Sequence, residues 1–147
     1  MNNIIYTIGF TEKSAEDFFN LLKNSAAERL IDVRLNNLSQ LASFSKKNDL
    51  KYFLKEILNW EYIHRPDFAP DEVILNEYKK KIIDWNDYNF RYLQLLDNRN
   101  IVDTVKKEEI INSVLLCSEH CPDFCHRRLL AEYFQKKWEN INIIHLK

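Results

Sequence analysis

The residues best able to do chemistry lie in one stretch, Val114-Leu-Leu-Cys-Ser-Glu-His-Cys-Pro-Asp-Phe-Cys-His-Arg-Arg-Leu-Leu-Ala-Glu-Tyr-Phe134. It contains all three cysteines (Cys117, Cys121, Cys125), two of the four histidines (His120, His126) and the pair Arg127 and Arg128. Cys125 is the expected reactive thiol. A cysteine near a helix start, beside a histidine and an arginine, ionises below the ~8.5 of a free thiol. The competing reading is a small buried hydrophobe. Cys117, inside an apolar run, reads as core. Glu119 or His126 would move a proton, and His64 offers a further acid or base near neutral pH. Arg34 and Arg127 are the expected arms for an anion, against the alternative that they pair structurally with Asp32 or Glu119.

Two other chemistries use the same stretch. Cys121 and Arg127 have the spacing of the Cys-x5-Arg loop of cysteine phosphatases. Pro122 removes an amide from that loop, however, and Asp123 would repel phosphate. Cys117, Glu119, His120, Cys121, Cys125 and His126 include ample zinc or iron ligands, but their spacing matches no standard finger, ribbon or cluster. No metal site is assigned and no cofactor is expected, with a metal centre kept as an alternative.

The elements that must position these groups follow from the apolar pattern. Residues 3–8, 29–33, 60–64, 114–117 and 141–146 read as short strands. Ser14 stands three residues before Asp17, a capping-box-like start for a helix carrying Phe18, Leu21 and Leu22. Leu50, Phe53, Leu54, Ile57 and Leu58 form a second helical stripe. Residues 36–45 read as polar and irregular, and 65–71, with two of the three prolines, as a loop. Residues 73–97 give one or two helices with a break near Asn86. The span 102–109 is either a short helix or a charged loop. The spacing of Leu129, Leu130, Tyr133, Phe134 and Trp138 sets a last long helix. The aromatics Tyr78, Trp85, Tyr88, Phe90 and Tyr92 read as helical core packing, and His145 and Lys79-Lys80-Lys81 as solvated surface.

Strands alternating with helices define a single three-layer α/β domain over residues 1–147, with a mostly parallel sheet of about five strands and helices on both faces. In such a sheet ligands bind outside the carboxyl ends of the strands. That rule gathers Thr7, Gly9, Arg34, His64 and Arg127 as substrate-binding residues around Cys125, His126 and Glu119 as catalytic ones.

Composition narrows the class. The chain is 46% hydrophobic with a formal charge of -1, which suits a folded protein and argues against a broad nucleic-acid face. No apolar run approaches the ~20 residues of a membrane span. The start of the chain lacks a signal-peptide layout, and three clustered cysteines do not form a secreted disulfide framework, so a cytoplasmic protein with free thiols is expected. The single glycine, Gly9, excludes glycine-rich dinucleotide and nucleotide loops.

Thr7-Ile-Gly-Phe-Thr11, Asp32-Val-Arg34, Phe44-Ser45, Tyr62-Ile-His64, Leu115-Leu-Cys-Ser-Glu119 and Cys125-His-Arg127 together resemble the DUF488 family, a domain of unknown function. The resemblance implies an α/β fold and a common site, and it supplies no reaction. The expected function is an enzyme taking a phosphate-bearing or otherwise anionic substrate, such as a nucleotide or nucleic-acid end. A non-catalytic binding module using the same pocket is the alternative, and a metal-binding protein the second.

Overall fold

The computed structural model describes residues 3–36, 44, 46–119 and 121–147. Five short runs rich in β-branched and aromatic residues form strands: β1 (Ile4–Gly9), β2 (Arg29–Asp32), β3 (Glu61–His64), β4 (Ser113–Cys117) and β5 (Asn142–His145). All pairings are parallel, in the order β3-β2-β4-β1-β5. Parallel neighbours require crossover connections, and helices fill each one. α1 (Ala15–Asn24) follows β1. α2 (Lys47–Phe53), extended by a π-helical turn over Leu54–Leu58, follows β2. α3 (Glu72–Lys79), α4 (Trp85–Asn98), α5 (Ile101–Thr104) and α6 (Lys107–Ile110) lie between β3 and β4. α7 (His126–Lys137) leads into β5.

The period of two along each strand sends alternate side chains to opposite faces, and two cores result. Tyr6, Ile8, Leu30, Val114 and Leu116 pack on one side with Phe18, Phe19 and Leu22 of α1 and Leu50 and Leu54 of the α2 segment. Ile5, Ile31, Leu115 and Cys117 pack on the other with Tyr88, Tyr92 and Leu96 of α4 and Leu129, Leu130, Tyr133 and Phe134 of α7. This is the expected α/β domain with helices on both faces.

Local chemistry sets the element boundaries. Ser14 caps α1 by accepting the Asp17 amide at 3.1 Å, as its position predicts. The break expected near Asn86 falls earlier, over residues 80–84. Asp84 accepts the Asp87 amide at 2.8 Å, and the Asp84 amide donates back to Asp87, so α4 starts at Trp85. The ambiguous span 102–109 resolves into the one-turn helices α5 and α6. Asn59, Asn100, Asn112 and Asn140 all have left-handed backbone, with φ between 51° and 60°. With one glycine in the chain, asparagine fills four of the six left-handed positions among the described residues, its short side chain tolerating that region well, and Glu12 and Lys81 fill the others. Within the expected irregular span 36–45, residues 37–43 and 45 lie outside the described residues.

No helix among the described residues is long and apolar enough to cross a membrane.

Candidate functional site

Cys117 ends β4, and α7 begins after an eight-residue loop whose last member, Cys125, is its N-cap. The loop folds back so that Cys125 and His126 meet Cys117. The two sulfurs and a His126 ring nitrogen lie within 4.8 Å of one another, and all three residues are buried. The Cys117 sulfur is 3.6 Å from His126 Nδ1 and 3.7 Å from Nε2. An in-plane sulfur equidistant from both nitrogens would collide with ring carbon, so Cys117 sits over the face of the imidazole. His126 Nε2 donates to the Val33 carbonyl at 2.8 Å, which fixes the ring between the ends of β2 and β4.

Charge is divided unequally in this cluster. The Cys125 thiol donates towards Cys117 and is the largest influence holding the Cys117 thiol well below its ordinary range. Burial opposes it, and the positive charges of His126 and Arg127 reinforce it. Burial, and then the bond to Cys117 and its negative charge, push the Cys125 thiol well up. Burial works against a charged His126, but the Cys117 sulfur outweighs it and raises the imidazole above its usual value. The surroundings thus favour the charged forms of Cys117 and His126 and disfavour that of Cys125. The sequence reading favoured Cys125 as the reactive thiol and Cys117 as core; Cys117 does pack in the core, and the lowering acts on it and not on Cys125. Adjacency to His126 and Arg127 in sequence favoured Cys125. In space its sulfur faces another thiol in a buried interior, and the His126 ring lies against Cys117.

The cluster forms the floor of a cavity of about 610 Å³ at the carboxyl ends of β2 and β4. Arg34 and Asn36 line it from the β2 end, Ser118 and Glu119 from the β4 end, and Leu75, Tyr78 and Lys79 from α3. Tyr88 of α4 stands on the same wall. Burial and the nearby charge on the cysteines keep its phenol protonated. Phe124, 62% exposed, packs edge-on against Trp85 at 5.4 Å. The sequence reading preferred core packing for Tyr78, Trp85 and Tyr88 while leaving a stacking face open, and Tyr78 and Tyr88 line the cavity wall as well.

Of the eight candidate site residues, Arg34, Glu119, Cys125 and His126 line the cavity, and Thr7, Gly9, His64 and Arg127 do not. The two arginines expected to hold one anion are each engaged by groups of the protein, and of the two only Arg34 lines the cavity. Arg34 forms a buried two-pronged ion pair with Asp32, Nε at 2.8 Å and Nη2 at 2.7 Å, and its guanidinium lies 5.3 Å from the Phe10 ring in the α1 core. Tyr62 donates to the same carboxylate at 2.5 Å. Arg127 is fully buried on the α7 side, donating to the Glu119 carbonyl at 2.5 Å and to Thr7 Oγ1 at 3.4 Å. Thr7 Oγ1 and His145 Nδ1 share a hydrogen bond of 2.6 Å, so half-buried His145 is tied into this chain of bonds and does not stand on open surface. His64 Nε2 donates to the Arg34 carbonyl at 2.8 Å.

Gly9 has a steric role. A Cβ placed there would stand 1.6 Å from the Glu119 carbonyl oxygen and 3.1 Å from Arg127 Nη1. Only glycine lets the loop after β4 cross the end of β1 and present that carbonyl to Arg127.

Cys121 is exposed, with its sulfur 3.3 Å from an Asp123 carboxylate oxygen. An anion beside the thiol is the opposite of a phosphate loop. Among the metal donors named from sequence, His120 lies outside the described residues. Cys117, Cys125 and His126 converge and are of the right kind for zinc or iron. With its sulfur over the ring face, Cys117 does not lie along an imidazole lone pair. Coordination of one ion by both would require the ring to turn against its Val33 bond.

Fold and site define an all-parallel α/β protein with a cysteine–histidine cluster under a cavity at the strand ends. The family model described as domain of unknown function DUF488 matches residues 14–134, and the chain belongs to that family. No curated protein and no solved structure matches it.

Proposed function

We propose that the protein is a thiol-dependent enzyme with Cys117 as its nucleophile and the cavity above it as its substrate site. The observation that carries this reading is the Cys117 sulfur 3.6 Å from His126 at the cavity floor. A thiolate beside an imidazolium that a third group holds in place is the usual arrangement for covalent cysteine catalysis. Cys117 would attack an acyl or phosphoryl centre, forming the bond from sulfur and releasing the leaving group with a proton from His126. Water would then cleave the sulfur-linked intermediate and restore the thiolate. Tyr88 stands where a phenol could donate to the reacting group. The lining sets Arg34 and Lys79 against Glu72 and Glu119, so it suits a small polar molecule with a flat portion against Tyr78 and Tyr88. An anionic group on that molecule would face Arg34 and Lys79.

Iodoacetamide labelling against pH, read at each cysteine by mass spectrometry, tests the nucleophile. Cys117 should label at a rate that stays level down to pH values where exposed Cys121 has slowed. His126→Gln should move the Cys117 profile towards higher pH and slow its labelling at neutral pH by roughly tenfold or more. A Cys117 that labels more slowly than Cys121 at every pH would overturn the reading. Screening acyl and phosphate esters then separates enzyme from binding module. Turnover lost in Cys117→Ser supports catalysis, and esters that protect Cys117 without being consumed support binding alone. Elemental analysis of freshly purified protein distinguishes a metal centre.

A further inference from the structure

Cys125 supports the Cys117 sulfur but takes no part in bond making or breaking in the proposed mechanism, and it is the group closest in kind to the nucleophile. We propose that Cys117 and Cys125 form a reversible disulfide when the protein meets a hydroperoxide, making the cavity floor an oxidation site with Cys125 as the resolving thiol. This rests on Cys117 being the reactive thiolate of the preceding section.

Three observations carry it. The sulfurs lie within 4.8 Å of each other, so side-chain rotation covers most of the approach to a bond. Cys117 is held on a strand, but Cys125 is an N-cap with extended backbone, φ -131° and ψ 140°, outside the hydrogen-bonded body of α7. Its side chain can turn towards Cys117 without breaking a helical bond. Both residues line the cavity, which gives a molecule as small as hydrogen peroxide a way to the pair.

The step balances. The Cys117 thiolate attacks one peroxide oxygen; the S–O bond forms, the O–O bond breaks, and hydroxide leaves as water after taking a proton. Cys117 is then a sulfenic acid. The Cys125 sulfur attacks the Cys117 sulfur; the S–S bond forms, the S–O bond breaks, and the Cys125 proton leaves with the hydroxyl as a second water. Two thiols are oxidised and one peroxide is reduced. The first step also prepares the second. Burial raises the Cys125 thiol, and so do its bond to Cys117 and the Cys117 negative charge. The last two vanish once Cys117 is a neutral sulfenic acid, and Arg127 remains to favour a Cys125 thiolate.

The test treats the full chain with hydrogen peroxide, blocks remaining thiols with iodoacetamide and analyses a non-reducing digest. The expected product has lost two hydrogens, links the peptides of Cys117 and Cys125, keeps Cys121 open to labelling and reverts with dithiothreitol. Cys121→Ser should behave as wild type. Cys125→Ser, with its fold checked by circular dichroism, should instead carry Cys117 to sulfinic acid that dithiothreitol does not reverse. Linkage through Cys121 would overturn the inference. So would wild-type Cys117 reaching sulfinic acid at the same dose as Cys125→Ser. Either result leaves the nucleophile in place if iodoacetamide still labels Cys117 quickly. A Cys117 inert to both reagents overturns both readings.

Discussion

Asp32, itself fully buried, receives the Arg34 side chain on both oxygens, the Arg34 amide at 3.1 Å and the Tyr62 hydroxyl. Removing one partner of a buried ion pair strands the other, so Asp32→Ala should lower stability by about 3–5 kcal/mol in urea unfolding. Tyr62→Phe loses one bond to a charged group and should cost about 1.5–3 kcal/mol. His145 gives a pH signal of known sign. Burial, and then the positive charge of Arg127, hold it below the ordinary imidazole value of 6.5. The unfolded chain therefore binds this proton more readily. The stability that neutral His145 contributes is full above pH 6.5 and declines as pH falls through that value, levelling off below the folded value. His145→Gln should flatten that part of a stability–pH curve measured by thermal unfolding. At Gly9 a methyl group must displace the Glu119 carbonyl. Gly9→Ala should cost about 1–3 kcal/mol or more, and should also change the Cys117 labelling rate, because the displaced loop carries Ser118 and Glu119 into the cavity wall.

Among the elements, α1 tests how far local signals act. Ser14→Ala removes the cap bond to Asp17 and should cost about 1 kcal/mol, read in the same unfolding assay, without altering Cys117 reactivity. The strands, the helix starts and the cluster of loops at the strand ends were legible in the sequence, because period and capping act over a few residues. The roles inside the site were not. Cys117 reads as core because its neighbours Val114, Leu115 and Leu116 are apolar. Only the return of the loop, made possible by Gly9 and held by Arg127, brings His126 over its sulfur. Arg34 and Arg127 follow strand and helix ends that look equivalent on paper. Arg34 is drawn to Asp32 and Phe10 at the cavity rim, and Arg127 to Thr7 and the Glu119 carbonyl. His145 reads as surface because it stands two residues from the last position, and its bond to Thr7 depends on β5 lying beside β1.

For the molecule as a whole, the sheet order separates what is near in sequence from what is near in space. β1 pairs with β4 and β5, whose residues come from the last third of the chain. During synthesis, β1 leaves the ribosome well before its neighbours among the described residues, β4 and β5, have been made. β2 and β3 can meet early, but the strand that joins them to β1 is again β4. A chain stopped before residue 113 should therefore stay open to protease throughout, whereas the full chain resists it. Refolding of the intact protein should be limited by one late, long-range closure. The cavity floor arises in that same event, since Cys117, Cys125 and His126 all belong to the part of the chain made last. The cysteine–histidine cluster therefore does not exist until its sheet does, and in an unfinished chain Cys117 has none of the neighbours that lower its thiol.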